Sequence, residues 1–337
     1  MKAAVFHKKH ELRYEAVPKP LPADDEVLIQ IKACGVCGTD VHIYEGAAGS
    51  AVPKPDTILG HEFSGVVLET GKAVKNIKTE DRVTVNPNLT CGKCHYCRNG
   101  QEHFCENMLG LGTTANGGFA EYCTAKEKIV YKVGDELSFE QAAMSEPVAC
   151  CLHGLDLAQI KAGDTVMIIG GGTIGMIMLQ LARISGAARI ILSEPVAAKR
   201  ELGLKLGADK VVNPLDECIE DILRDNNIIV NVGIECVGNP KTMLDTIKYT
   251  GKGGHVMLFG LTSPECEIPV KPYEIFQKEL TIRASFINPY TQERAIALLE
   301  SGRINIDDLI YRNVNLRDIE DVFENKLYAK GKIIVCP

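Results

Sequence analysis

The spacing of apolar and polar positions divides the chain into three stretches. Up to about residue 145 the apolar residues fall in short runs: VLIQIKA (27–33), SGVVLE (64–69) and DRVTV (81–85). Loops punctuated by glycine and proline separate them, which predicts a β-rich domain. The opening MKAAVFHKKHELRYE carries a short apolar run broken by charge. It predicts an edge strand and not the apolar core of a secretion signal.

From about residue 150 strands alternate with helices. TVMIIG (165–170) is a continuous apolar run, the pattern of a strand covered on both faces. TIGMIMLQLARIS follows at helical length. RIILSEP (189–195), KVVNP (210–214), IIVNVGIECVG (228–238), HVMLFG (255–260) and LTIRASF (280–286) supply further strands, with amphipathic stretches such as KRELGLKLGAD between them. This alternation predicts an α/β fold with a doubly wound parallel sheet. The tail from about 288 returns to mixed structure and ends in a short strand, KIIVC. The uncharged stretch Thr165 to Ala182 is long enough to span a membrane. Gly170, Gly171, Gly172 and Gly175 divide it, so a buried strand–turn–helix is the expectation.

Composition narrows the function. The 337 residues are enough for two domains. With 37 basic against 44 acidic residues the net charge is −7, which argues against a nucleic-acid or anionic-membrane partner and leaves a small molecule. Thirteen cysteines, an odd number without a secretion signal, point to a reducing, cytoplasmic setting in which clustered cysteines hold metal.

Four of those cysteines follow C-x2-C-x2-C-x7-C: Cys91, Cys94, Cys97 and Cys105. Four thiolates suit tetrahedral zinc, and a closed four-sulfur shell is structural. Gly92 and Gly100 permit the turns that close it. An iron–sulfur cluster is the competing reading, but the ferredoxin run has its fourth cysteine sooner, followed by proline.

Gly170, Gly172 and Gly175 form G-x-G-x-x-G between a strand and a helix, enclosing Thr173 and Ile174. The first glycine makes the turn, the second lets a pyrophosphate approach the backbone, and the third allows close helix–sheet packing. Glu194 ends the next strand, 19 positions after Gly175 (194 − 175). A carboxylate there meets ribose hydroxyls and repels a 2′-phosphate, favouring NAD over NADP.

CGVCGTDVH supplies Cys37, Thr39, Asp40 and His42, and GHEFSG supplies His61 and Glu62. Cysteine, histidine and carboxylate can build a zinc site with one open position. Singly, each signal is weak, and a lone histidine in a β-rich domain is more often a hydrogen-bonded structural residue than a ligand. Together, GVCGTDVHIYEG, LGHEFSGVV, the cysteine knuckle, SEPVACCLHG, IIGGGTIG and LTIRASFINPYT resemble the zinc-containing medium-chain dehydrogenase/reductase family. The similar branch includes sorbitol (L-iditol) and threonine dehydrogenases.

The resemblance implies a GroES-like catalytic domain over 1–149, with 288–337 returning to it, and a Rossmann NAD-binding domain over 150–287. It implies two zinc ions per chain, one structural and one catalytic. Cys37, His61 and Glu62 would be catalytic ligands, and Glu146 would contact the zinc directly or through water. Thr39 and His42 would relay the alcohol proton, and Asp40 would orient His61. Lys199 or Arg200 would flank the adenosine, and Gly260, Leu261, Ser285 and Phe286 the nicotinamide half. Thr173 replaces the family's usual loop proline. Cys150 and Cys151 are out of register for zinc and read as small buried hydrophobes. Ile287 and Asn288 stand where sorbitol dehydrogenases carry an arginine–tyrosine pair, which counts against sorbitol itself. Tyr44 and Phe119 read either as pocket lining or as core. The implied activity is hydride transfer from a secondary alcohol, of polyol or vicinal-diol type, to NAD. L-threonine and 2,3-butanediol dehydrogenases are the alternatives, and a non-catalytic NAD-binding relative is a remote one. Relatives are homodimers or homotetramers.

Overall fold

The computed structural model describes residues 1–47 and 53–337. The chain divides into two compact units, Met1–Ala149 with Asn288–Pro337, and Cys150–Ile287.

Among the described residues the first unit holds sheets of seven and three strands and a two-stranded pair, Asn88–Leu89 with Leu109–Gly110. In the largest, the spatial order is Val130–Lys132, Arg82–Val85, Glu62–Thr70, Glu26–Gly35, Lys332–Cys336 and Ile310–Asn315, with Tyr122–Lys126 also pairing along Glu26–Gly35. The last strand of the chain therefore lies against one of the first. It runs antiparallel to Glu26–Gly35 and parallel to Ile310–Asn315, which explains why the tail belongs to this unit. Alternate residues of the central strands enter one core: Val27, Ile29, Ile31, Phe63, Val67 and Val335 are all buried. Each such side chain contributes about 1.5–3 kcal/mol by leaving water.

The opening segment differs from the single edge strand expected. Lys2–Lys8 and Glu11–Ala16 form an antiparallel hairpin, and Lys2–Lys8 is the middle strand of a three-stranded sheet whose third member is Thr57–Ile58. The turn passes through His10 with φ 58°. It uses neither glycine nor asparagine, the residues that usually mark a tight hairpin.

The second unit is a six-stranded parallel sheet in the order Lys210–Val212, Arg189–Ser193, Thr165–Ile169, Val230–Glu235, Thr250–Leu258, Thr281–Ala284. The order reverses between Thr165–Ile169 and Val230–Glu235, and ligands of such sheets bind at the carboxyl ends of the strands flanking that reversal. The uncharged stretch resolves into strand Thr165–Ile169 and helix Thr173–Ile184. Gly186, with φ 98°, follows the helix and turns the chain back, as glycine does beyond a helix end. Among the described residues no helix is long and apolar enough to cross a membrane.

Candidate functional site

Three potential ligands from two segments meet in the first unit. Cys37 is the N-cap of the short helix Gly38–Tyr44, directly after strand Glu26–Gly35. His61 precedes and Glu62 opens the neighbouring strand, Glu62–Thr70, after Gly60, whose φ is 87°. Ligand atoms of Cys37, His61 and Glu62 lie within 4.8 Å of one another. The pairing of Gly35 with Glu62 across the two strands brings them together. Cys37 is half-buried, while His61 and Glu62 are buried.

Asp40, fully buried, ties the two segments. Its Oδ2 accepts the Cys37 N–H at 2.9 Å, and its Oδ1 accepts the Gly60 N–H at 3.4 Å. Oδ1 also approaches His61 Nδ1 at 3.4 Å, an ion-pair distance, although Nδ1 makes no well-formed hydrogen bond. Burial opposes a charge on this ring, but Asp40 and the Cys37 sulfur outweigh it. The His61 pKa therefore stands well above 6.5. With Nδ1 turned to Asp40, the other ring nitrogen of this buried imidazole is the one that suits a cation, beside a sulfur and a carboxylate.

Glu146 is buried in the first turn of helix Ser145–Ala158, but it is not part of the group of mutually close ligand atoms. Thr39 and His42 are half-buried and three residues apart in helix Gly38–Tyr44, a spacing that puts them on one face. Tyr44 and Phe119 belong to the core. Their rings pack on Phe323 at 5.1 and 6.5 Å, and both are buried.

The cysteine knuckle is also assembled. Ligand atoms of Cys91, Cys94, Cys97 and Cys105 lie within 4.8 Å of one another, and all thirteen cysteines are free of disulfides. Zn–S bonds of about 2.3 Å set sulfurs roughly 3.8 Å apart, so little movement is needed to hold an ion. Gly92 and Gly100, both with φ 70°, make the turns. Without a cation the thiols differ sharply. The backbone N–H groups of Lys93 and Cys94 lower Cys91 to about 6, while desolvation and the Cys94 sulfur push Cys97 up to about 12. A cation at the centre removes that competition for protons.

In the second unit Gly170 turns the chain at the end of its strand with φ 103°. A side chain at Gly175 would collide with the Gly170 carbonyl, so helix and loop touch there. At Gly172, the N-cap, a side chain would meet nothing within 4 Å, which leaves room for a ligand. Thr173 and Ile174 are half-buried in the first turn. The Glu194 carboxylate is buried against this loop, accepting N–H groups of Gly171 at 2.7 Å and Val196 at 2.8 Å. Arg200 donates to the carbonyls of Glu194 and Pro195, and Lys199 is half-buried on the same helix. Gly260 packs on Gly238. Leu261 and Phe286 are exposed, and the Ser285 hydroxyl is buried without a partner. Cys151 is buried, its thiol directed at the Ile174 carbonyl at 3.9 Å, and Cys150 is half-buried.

The family models match both halves. Residues 23–135 match the alcohol dehydrogenase GroES-like domain, and residues 173–301 match the zinc-binding dehydrogenase model. The chain belongs to the zinc-binding dehydrogenase family. It is 33% identical to a sorbitol dehydrogenase of Bacillus subtilis, over 100% of this chain and 97% of that protein. It is 37% identical to an L-threonine 3-dehydrogenase of Pyrococcus abyssi, over 94% and 92%. A crystal structure of a zinc-binding dehydrogenase from Sinorhizobium meliloti 1021, bound to NADP, superposes with a TM-score of 0.96 at 37% identity, covering 100% of this dehydrogenase and 99% of that chain.

Three residues at or near these sites escaped the sequence reading. Lys332 is buried against Glu62 and donates to the Val36 carbonyl at 3.0 Å. Glu235, fully buried, accepts the N–H groups of Val237 at 2.9 Å and Gly238 at 3.0 Å beside the glycine loop. Asn88 donates to Asn288, which donates on to Gln292. Asn288 is thus buried in an internal network. For Glu235 the available signal was a charge inside an apolar run; Lys332, at the polar start of its strand, left none.

Proposed function

We propose that this dehydrogenase is zinc-dependent and NAD-linked, and that it oxidises a secondary hydroxyl of a small polar alcohol of polyol or vicinal-diol type. The convergence of Cys37, His61 and Glu62, braced by Asp40, carries this reading. One thiolate, one imidazole and one carboxylate suit zinc and leave a coordination position for substrate. Zinc held there supplies Lewis acidity, and NAD accepts the hydride.

The remaining work falls to side chains. Asp40 orients His61 and holds the Cys37 backbone. Thr39 Oγ1 takes the substrate's proton and passes its own to His42, half-buried on the same helix face, which hands it on toward solvent. Glu146 acts through a water molecule or by moving toward the metal, because it stands outside the close group. Cys91, Cys94, Cys97 and Cys105 hold the structural zinc.

Residues 150–287 bind the dinucleotide. Gly172 admits the pyrophosphate, Glu194 selects ribose hydroxyls, and Lys199 or Arg200 flanks the adenosine. Gly260, Leu261, Ser285 and Phe286 line the nicotinamide half. A buried carboxylate beside the loop supports NAD over NADP, although the Sinorhizobium protein carries NADP. L-threonine oxidation is the second reading, favoured by the 37% identity to the Pyrococcus enzyme. We place the enzyme in the cytoplasm, supported by thirteen cysteines that form no disulfide, as a homodimer or homotetramer.

Cys37→Ser tests the assignment. Turnover is lost, bound zinc falls from two per chain to one, and NADH binding by fluorescence is nearly unchanged. Full activity in that variant refutes it. A screen of polyols, diols, threonine and sugar phosphates, with NAD and NADP in parallel, identifies the substrate.

A further inference from the structure

Lys332 opens the last strand and is 5% exposed. A buried ammonium is costly unless it is paired and hydrogen-bonded. Here both conditions are met. Its Nζ is ion-paired with Oε2 of Glu62, itself buried, and donates to the Val36 carbonyl at 3.0 Å.

The pair meets through a gap in the sheet. Gly35 lies opposite Glu62 on one side and Ile334 on the other. A side chain at Gly35 would collide with Glu62 Oε2 and come within 2.8 Å of Lys332 Cε. Gly35 does not have a positive φ, so space and not conformation calls for glycine there.

On the reading of Cys37, His61 and Glu62 as metal ligands, we propose that Lys332 is a positioning residue. It holds one oxygen of Glu62, confines that carboxylate to a one-oxygen contact with the metal, and so keeps the substrate's coordination position open. A carboxylate can bind a cation through one oxygen or two. Restraint from behind decides which. An ammonium already engaged with Oε2 leaves Oε1 as the oxygen free to turn to the metal. Without it, the second oxygen fills the position that catalysis needs empty. Residues behind the ligands set their orientation in this way at other metal centres.

The test uses the full-length enzyme with its catalytic zinc exchanged for cobalt(II), whose visible bands weaken as coordination number rises. Lys332→Met is expected to bind cobalt fully in competition with a chelator, yet to show weaker bands of higher coordination. Lys332→Arg, which keeps the cation, restores the wild-type spectrum. A wild-type spectrum in Lys332→Met overturns the proposal. So does a loss of cobalt without any change of band shape, which is what a merely structural role produces. If Lys332→Met does not fold, Lys332→Gln carries the test with the same two outcomes. Glu62→Gln separates the two levels of inference. A wild-type cobalt spectrum there removes Glu62 from the ligand set, and the functional reading fails with it. A changed spectrum there, beside an unchanged one in Lys332→Met, overturns only the role of Lys332.

Discussion

Replacing Asp40 by asparagine probes the arrangement most directly. The two carboxylate oxygens serve two backbone donors and one ring: the Cys37 N–H at 2.9 Å, the Gly60 N–H at 3.4 Å and the face of His61 Nδ1 at 3.4 Å. Asparagine has one acceptor oxygen, so on one side an amide N–H must confront another N–H. A hydrogen bond to a charged group contributes about 1.5–3 kcal/mol, and a buried donor left without a partner costs about 1–3 kcal/mol. The loss falls on the backbone immediately beside Cys37 and His61, so both of the proposed ligands lose their support at once. Weakening of zinc affinity by roughly 10- to 100-fold follows, or about 1.4–2.8 kcal/mol. Competition against a chromophoric chelator near neutral pH measures it. The pH profile adds a signed check. Asp40 raises the His61 pKa, so in the wild type protons compete with zinc for the ring up to a higher pH. In Asp40→Asn that competition begins at a lower pH, and the gap between the two proteins narrows as pH falls. Equal zinc affinity in both proteins, or a gap that widens in acid, refutes the reasoning.

Gly175→Ala forces the helix off its loop, because the added methyl meets the Gly170 carbonyl. Overpacking of about 1–3 kcal/mol predicts NADH binding weaker by about tenfold or more, with zinc content still two per chain. Gly172→Ala meets no protein atom, so its melting temperature stays at the wild-type value while NADH affinity falls; parallel melting and fluorescence titrations separate the two. Cys97→Ser opens the knuckle, lowers zinc from two per chain to one by elemental analysis, and depresses the melting temperature while Cys37, His61 and Glu62 keep their ion. His7 carries a pKa raised by its hydrogen bond to Asp56 at 2.6 Å and, more weakly, by Glu15. Its contribution to stability is fully present below the unfolded value near 6.5 and is lost as pH rises through the folded value. The melting difference between wild type and His7→Gln is therefore expected to shrink from pH ~5 to pH ~9.

The parts legible in the sequence are those in which chemistry and geometry sit in one short segment. The knuckle needs four sulfurs within fifteen residues (91 to 105) and two glycines at φ 70°, and both are written locally. The glycine loop is legible for the same reason, and the parallel sheet follows from continuous apolar runs such as Val166 to Ile169. The hairpin at the start looks like one strand in the sequence because Lys9 and His10 make its turn without the usual turn residues. Tyr44 and Phe119 could not be assigned, because an aromatic ring beside a ligand segment fills a core as readily as a pocket; Phe323, far along the chain, decides it. Lys332 is the clearest case of what local pattern hides. In KIIVC it reads as the polar start of a final strand. Only pairing across 270 residues, through the gap at Gly35, turns that lysine into a partner of Glu62. Ligands are chosen by atom type and leave a motif. The groups that restrain them are chosen by position, and position at that range exists only in the folded sheet. The residues most open to discovery around such a metal centre are therefore buried charges on strands that join the site late in the chain.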